Sequence, residues 1–309
     1  MSTKKLLIVT PEERNAILGL FNKNEALLTE DVEILQNWMK TQKHLPEVMS
    51  KELITRFLLN NKFSIEISKE KIDMYYTIRS LIPELYENSN PKLPEMQNVL
   101  LKTYICPLPK LLDHCRINIV KLKSELLDDN EKIDIDKFHS VCFSFLELRC
   151  IEGEMSISEI NIFDLKGLKL SHISNLTPMS FKRMATVLEK VWSDRIKAVH
   201  FVNYPPFLDK ILGMLKLFLK PKLYDRIQLH KDQDSIMKYF DKKILPKDYG
   251  GDEMSLDEIQ EGWLQKFKEY QPKFDALDKL RVNENLRDSK LTNDELLGFH
   301  GNFKKLSVD

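Results

Sequence analysis

A chain of 309 residues is long enough for one large domain, or two modest ones, with a real core. Its 47 basic and 47 acidic side chains cancel, which argues against broad, sequence-independent nucleic-acid binding, because that needs a basic excess. With 9 glycines and neither G-x-G-x-x-G nor G-x-x-x-x-G-K-[ST], the chain has little from which to build a phosphate cradle.

Before Pro11 only a short apolar run, Leu6 to Val9, is present, too short for a secretory signal. No apolar run reaches the length of a membrane-spanning helix. The reading is a cytoplasmic protein, peripheral at membranes. Cys106, Cys115, Cys142 and Cys150 form no C-x-x-C pair and read as reduced, mostly buried thiols.

From about Thr29 to Tyr86 the apolar spacing is helical. Val32, Leu35 and Trp38 form one stripe, and Leu53, Ile54, Phe57 and Leu58 a second. Ile72, Tyr75, Tyr76 and Ile78 begin a third, ended by Pro83. Together they predict a helical bundle over 1–90. Pro91, Pro94, Pro107 and Pro109 read as the junction to a second region, 91–275.

There, strands are predicted at Ile117–Leu122, Ile157–Leu165, Ala198–Asn203 and Arg226–His230. Between them lie amphipathic helices. One carries Phe138, Val141, Cys142, Phe145 and Leu148. Another is capped by Thr177 and Pro178 and carries Phe181, Met184, Ala185, Leu188 and Val191. Strands separated by a helix need crossover connections, so the fold class is α/β with a largely parallel sheet. Ser255 and Glu258 have capping-box spacing for one more helix. The charged tail, 276–309, holds Phe299 and Phe303 near its end and reads as a segment that packs back on the body.

The stretch from Tyr204 to Arg226 carries the most information. Pro205 and Pro206 suit a helix start. At 100° per residue, Phe207, Leu208, Ile211, Leu212, Met214, Leu215, Phe218 and Leu219 fall on one arc, with Asp209, Lys210, Lys216 and Lys220 opposite. Such a helix, about 20 Å long, is either a core helix with a solvated lysine face or an amphipathic lid over a pocket. Arg195, Lys197, Lys222 and Arg226 lie near it in sequence; they are either scattered solvated charges or a phosphate-recognition cluster.

Catalytic patterns are weak. Asp164, Ser171 and His172 lie close together, but adjacent Ser and His do not by themselves make a nucleophile–base pair, and no G-x-S-x-G elbow occurs. The histidines show no metal-ligand spacing, so neither a catalytic nor a metal site is expected.

Three segments carry a family resemblance: Phe163-Asp164-Leu165-Lys166-Gly167, Val199-His200-Phe201-Val202-Asn203, and Leu245-Pro246-Lys247-Asp248-Tyr249-Gly250-Gly251. In order and spacing they resemble the CRAL-TRIO family over roughly residues 28–275. The closing G-N-F-K-K-L-S-V-D resembles the tail of insect members of the tocopherol-transfer-like kind.

The resemblance implies a helical bundle, an α/β lipid-binding domain with a mobile gate helix after Asn203, and no enzymatic chemistry. It implies a carrier of a hydrophobic small molecule such as tocopherol, a retinoid, a carotenoid or a related lipid. The ligand is exchanged at an anionic membrane with a phosphoinositide headgroup assisting, and there is no cofactor and no nucleic-acid partner. The alternative is a phosphoinositide-sensing recruitment module with a vestigial pocket.

Strand alternation and matching positions point to Phe163, Met184, Val187, Leu188, Trp192 and Val199 as pocket lining in the body. Phe207, Ile211, Met214, Leu215 and Phe218 are the candidates in the gate helix. The positions matching the family's headgroup site are Arg195, Lys197, Lys222 and Arg226, all basic. One departure is that Arg56-Phe57-Leu58 is followed by Leu59, where the tocopherol carrier has a further arginine.

Overall fold

The computed structural model describes residues 5–217, 219 and 221–287. Helix α1 (Pro11–Gly19) starts on Thr10, whose hydroxyl accepts from the Glu13 amide while the Glu13 carboxylate accepts in return. The sequence reading did not foresee it. Only Ile17 and Leu18 of its residues are buried, too few to make a stripe.

The bundle continues with α2 (Glu25–Thr41), α3 (Lys51–Asn60) and α4 (Ile65–Leu81), capped by Asn24, Ser50 and Ser64. Pro83 ends α4 and opens the single turn α5 (Pro83–Tyr86). The predicted stripes are buried from Val32 through Ile78, with Trp38 partly covered.

Helix α6 (Pro94–Lys102) leads into the α/β region: β1 (Thr103–Leu112), β2 (Cys115–Leu122), α7 (Ile135–Ile151), β3 (Ser158–Asp164), α8 (Pro178–Val187) and β4 (Ile196–Val202). Then come α9 (Leu208–Leu215), α10 (Pro221–Tyr224), β5 (Ile227–His230), α11 (Gln233–Met237), α12 (Leu256–Glu269) and α13 (Gln271–Leu277). The sheet runs β1-β2-β3-β4-β5, parallel except for the β1–β2 pair.

Two expectations are corrected. Pro107 and Pro109 do not punctuate a junction but lie inside β1. The strand is at the sheet edge, where a residue without an amide hydrogen costs no ladder bond, and the Pro109 carbonyl accepts from Ile8 of the amino-terminal segment at 2.8 Å. The helix after Pro205 is also shorter than predicted. It spans Leu208–Leu215, about 12 Å by its rise, and a separate turn starts at Pro221, which cannot continue a helix from before it.

Of the tail, the described part reaches Arg287, whose guanidinium donates to both oxygens of Asp73 in α4 at 2.7 Å. Phe299 and Phe303 lie outside the described residues.

The bundle is joined to the sheet by buried charge. Arg56 on α3 is 1% exposed and donates to the Ser156 carbonyl at 2.6 Å, to Glu159 at 2.9 Å, and to Asp194. Arg149 on α7 bridges Glu159 and Glu154, both at 2.8 Å. Arg116 on β2 grips Glu154 with two parallel bonds at 2.8 and 2.9 Å. Burial works against charge at Glu154, but Arg116 and Arg149 outweigh it and hold the carboxyl well below its ordinary range.

Three guanidinium groups thus balance three carboxylates. Removing one partner of such a network strands a buried charge, at a cost of about 3–5 kcal/mol. Arg56→Met is therefore expected to lose about 3–5 kcal/mol in urea unfolding. A loss well below this range would show that the network does not hold the bundle.

Candidate functional site: a cavity beneath α9

The motif segments meet at one carboxylate. Asp164 ends β3 and accepts from the side-chain amide of Asn203 at 2.7 Å and from the Tyr249 hydroxyl at 2.9 Å. Asn203 takes a left-handed turn (φ 53°) directly after β4, so the chain leaves the sheet there and heads into α9. Gly251 is required by space, because a Cβ there would stand 1.9 Å from the Leu245 carbonyl oxygen. The resemblance segments therefore meet where the chain leaves β4 for α9.

Between the sheet face, α7, α8 and α9 lies a cavity of about 370 Å³. Its sheet wall follows the register. Pro107, Asn118, Asn161, Val199 and Ile227 pair along one rung, and Ile105, Val120, Phe163 and Phe201 along the next. Phe163 and Phe201 stack at 5.4 Å. From α7 come Ile135, Phe138, Cys142 and Leu146, from α8 Phe181 and Met184, and from α9 Ile211 and Leu215.

Spacing explains the roof. Leu208, Leu212 and Leu215 of α9 are buried, while Asp209, Lys210 and Lys216 face outward. These leucines pack with Phe181 and Phe201 in a cluster separate from the main core. Lifting α9 would return each leucine to water at about 1.5–3 kcal/mol.

The structure places Phe163, Met184, Leu188, Val199, Ile211 and Leu215 on the cavity wall. Val187 and Trp192 are not there. Val187 is buried in the main core. Past α8 the chain makes a π-helical turn, Leu188–Trp192, and Ser193 turns left-handed (φ 53°). Trp192 is thereby swung against the bundle, where it stacks on Phe57 at 6.0 Å and meets Tyr75 edge-on at 5.9 Å.

Phe207 precedes α9 and Met214 packs beside the roof leucines, both off the wall. Phe218 lies outside the described residues. The sequence reading missed the whole contribution of α7. Its signal was present, since a helix apolar around more than one face has to lie between two layers.

One end of the cavity is polar: Asn118, Asn161, Arg149, Glu159 and Asp194 line it, backed by the charge network. His139 on α7 also lines the cavity, and its Nδ1 has no hydrogen-bond partner among the described residues. Burial, then the charge of Arg183, pushes its imidazole from 6.5 down to about 4.

Of the four basic residues, Arg195 donates to the Leu59 carbonyl at the negative end of α3, which the Lys62 amide also reaches at 3.3 Å. Arg226 donates to the Ile196 carbonyl at the amino end of β4. Lys197 lies 3.5 Å from Asp113, and Lys222 is exposed. Arg195 and Lys197 flank Ile196 in the chain, but their side chains reach α3 and the β1–β2 turn, and Arg226 alone of the three bonds to Ile196. Asp164, Ser171 and His172 go separate ways: Ser171 donates to the Asp129 carbonyl, and His172 Nδ1 accepts from the Lys169 amide at 3.2 Å. Among the described residues no cluster fit for a metal ion and no helix long and apolar enough to cross a membrane is present.

An α/β domain with a cavity roofed by a helix after β4 defines a class. Residues 101–251 match the model of the CRAL/TRIO domain, and residues 24–96 that of the Pinta-like UBA domain. Residues 101–251 are therefore a CRAL-TRIO domain.

The chain is 27% identical over 229 residues to the alpha-tocopherol transfer protein-like protein of Homo sapiens, a match covering 74% of this chain and 66% of that protein. The chain thus spans just under two thirds of that relative's length. It is 25% identical over 233 residues to clavesin-1 of Mus musculus, covering 74% of this chain and 65% of that one. The crystal structure of Sfh5 aligns with a TM-score of 0.44 at 13% identity, over 84% of this chain and 98% of that one.

A buried neutral histidine makes stability pH-dependent. Its contribution is whole above pH 6.5, where the unfolded imidazole is also neutral. It is lost progressively as the pH falls toward about 4, because the unfolded chain takes up a proton that the folded one refuses. His139→Phe is expected to lose less melting temperature between pH 7 and 5 than the unaltered chain. Identical slopes would contradict a buried neutral His139.

Proposed function

We propose that the chain carries a hydrophobic small molecule in the cavity beneath α9 and exchanges it at anionic membrane surfaces. The observation that supports this reading is an apolar space of about 370 Å³ under a short helix whose own leucines pack apart from the main core. A cavity of this size falls in the range that takes drug-sized ligands. The name of the alpha-tocopherol transfer protein-like relatives speaks of tocopherol transfer, which favours an isoprenoid-like guest.

A bound molecule offsets the cost of keeping the cavity open and stabilises the fold by linkage. Lys197 and Lys222, with the exposed Lys210 of α9 and Lys216 just after it, supply attraction for phosphoinositide or other anionic lipid. In this reading Lys197 and Lys222 do the headgroup work, because Arg195 and Arg226 have backbone carbonyls to satisfy.

The test is transfer of a fluorescent tocopherol analogue between vesicles, with and without phosphatidylinositol bisphosphate. Met184→Trp, which fills the cavity, is expected to abolish transfer while leaving vesicle binding intact. Lys197→Glu with Lys222→Glu is expected to weaken vesicle binding by at least about tenfold. Transfer that survives the filled cavity would overturn carriage. Vesicle binding without any ligand uptake would point instead to a recruitment module.

A further inference from the structure

We propose that the Asn161 side-chain amide is a head-group reader, and that the guest is a long apolar molecule ending in a neutral oxygen: a carbonyl, ester, ether or hydroxyl. This rests on the carrier reading and narrows its ligand class. The orientation of Asn161 is fixed by a relay that begins in the buried charges.

Glu159, as a carboxylate, only accepts, and Arg149 only donates. Asn118 lies between them, with its amide nitrogen 2.5 Å from Glu159 Oε2 and its oxygen 3.3 Å from Arg149 Nη1, so its NH₂ and C=O ends are assigned by its neighbours. The same NH₂ group donates to Asn161 Oδ1 at 2.9 Å. With its oxygen taken, Asn161 presents its own NH₂, which makes no hydrogen bond among the described residues, on the cavity wall. The next rung along the sheet is apolar, with Val120 and Phe163. The sheet wall therefore offers the Asn161 amide as a donor at the polar end of an oily space, and the His139 imidazole on α7 is a second polar group of the wall for which no hydrogen bond is made among the described residues.

Three guest classes are separated by this arrangement. A pure hydrocarbon leaves the amide unpaired in an apolar pocket, which is unfavourable. A fatty acid brings a carboxylate next to a network whose three guanidinium groups already balance three carboxylates, so its charge has no counter-ion there. A neutral oxygen accepts from Asn161 and adds no charge. No other donor on the neighbouring rung competes for it.

The experiment uses the full chain, freed of lipid, loaded with Nile red and titrated with hexadecane, the methyl ketone of the same chain length, and hexadecanoate. The ketone is expected to displace the dye at about tenfold lower concentration than either of the others. In Asn161→Val, and in Asn161→Ala should the valine variant misfold, that advantage is expected to vanish. The infrared carbonyl band of isotope-labelled ketone is expected at lower frequency in the unaltered chain than in either variant. A ketone advantage that persists in the variants, or an unmoved band, overturns the proposal. Equal displacement by all three probes overturns it while leaving the carrier reading in place, and no displacement by any of them overturns both.

Discussion

Glu159 is the point on which the structure turns. It lies at the amino end of a central parallel strand, 3% exposed, where an isolated carboxylate would be very costly. The fold meets that cost by bringing Arg56 from the bundle and Arg149 from α7 onto the same carboxylate, both within 2.9 Å. Against the penalty of burial the two guanidinium groups hold the Glu159 carboxyl below its ordinary range. One residue therefore fixes the bundle to the sheet, sets the position of α7, and closes one end of the cavity with polar groups. Apolar packing alone would have held these layers together, but it would not have fixed their mutual register so specifically.

The other end of the site depends on a second carboxylate. Asp164 collects Asn203 and Tyr249, and so ties the exit of β4 to the segment that precedes α12. Between these two polar anchors the rungs of β2, β3 and β4 carry mainly apolar side chains toward the cavity. Helix α9 follows the Asn203 turn and packs through Leu208, Ile211, Leu212, Met214 and Leu215 in a cluster outside the main core.

Much of this was legible in the sequence, because the bundle stripes and the strand–helix alternation follow from local periodicity, and the ordered motifs carry a family resemblance. What was not legible has particular causes. β1 was hidden by Pro107 and Pro109, which an edge strand tolerates. Trp192 belongs by helical spacing with Leu188, but a π-helical turn and a left-handed serine rotate it to the bundle, and no periodicity reports such a turn. The polar end of the cavity was invisible because Asn118, Arg149 and Glu159 come from three distant segments whose register only the folded sheet sets. Arg195 was singled out for its charge, yet its guanidinium is partly spent on the end of α3.

The central claim is that the space beneath α9 holds a removable guest and is not a packing defect. Native mass spectrometry of the chain purified from expressing cells without detergent tests it most directly. The account predicts an added mass of one hydrophobic molecule per chain, lost on organic extraction and regained on incubation with a lipid extract. Only the bare chain mass, both before and after that incubation, would contradict it.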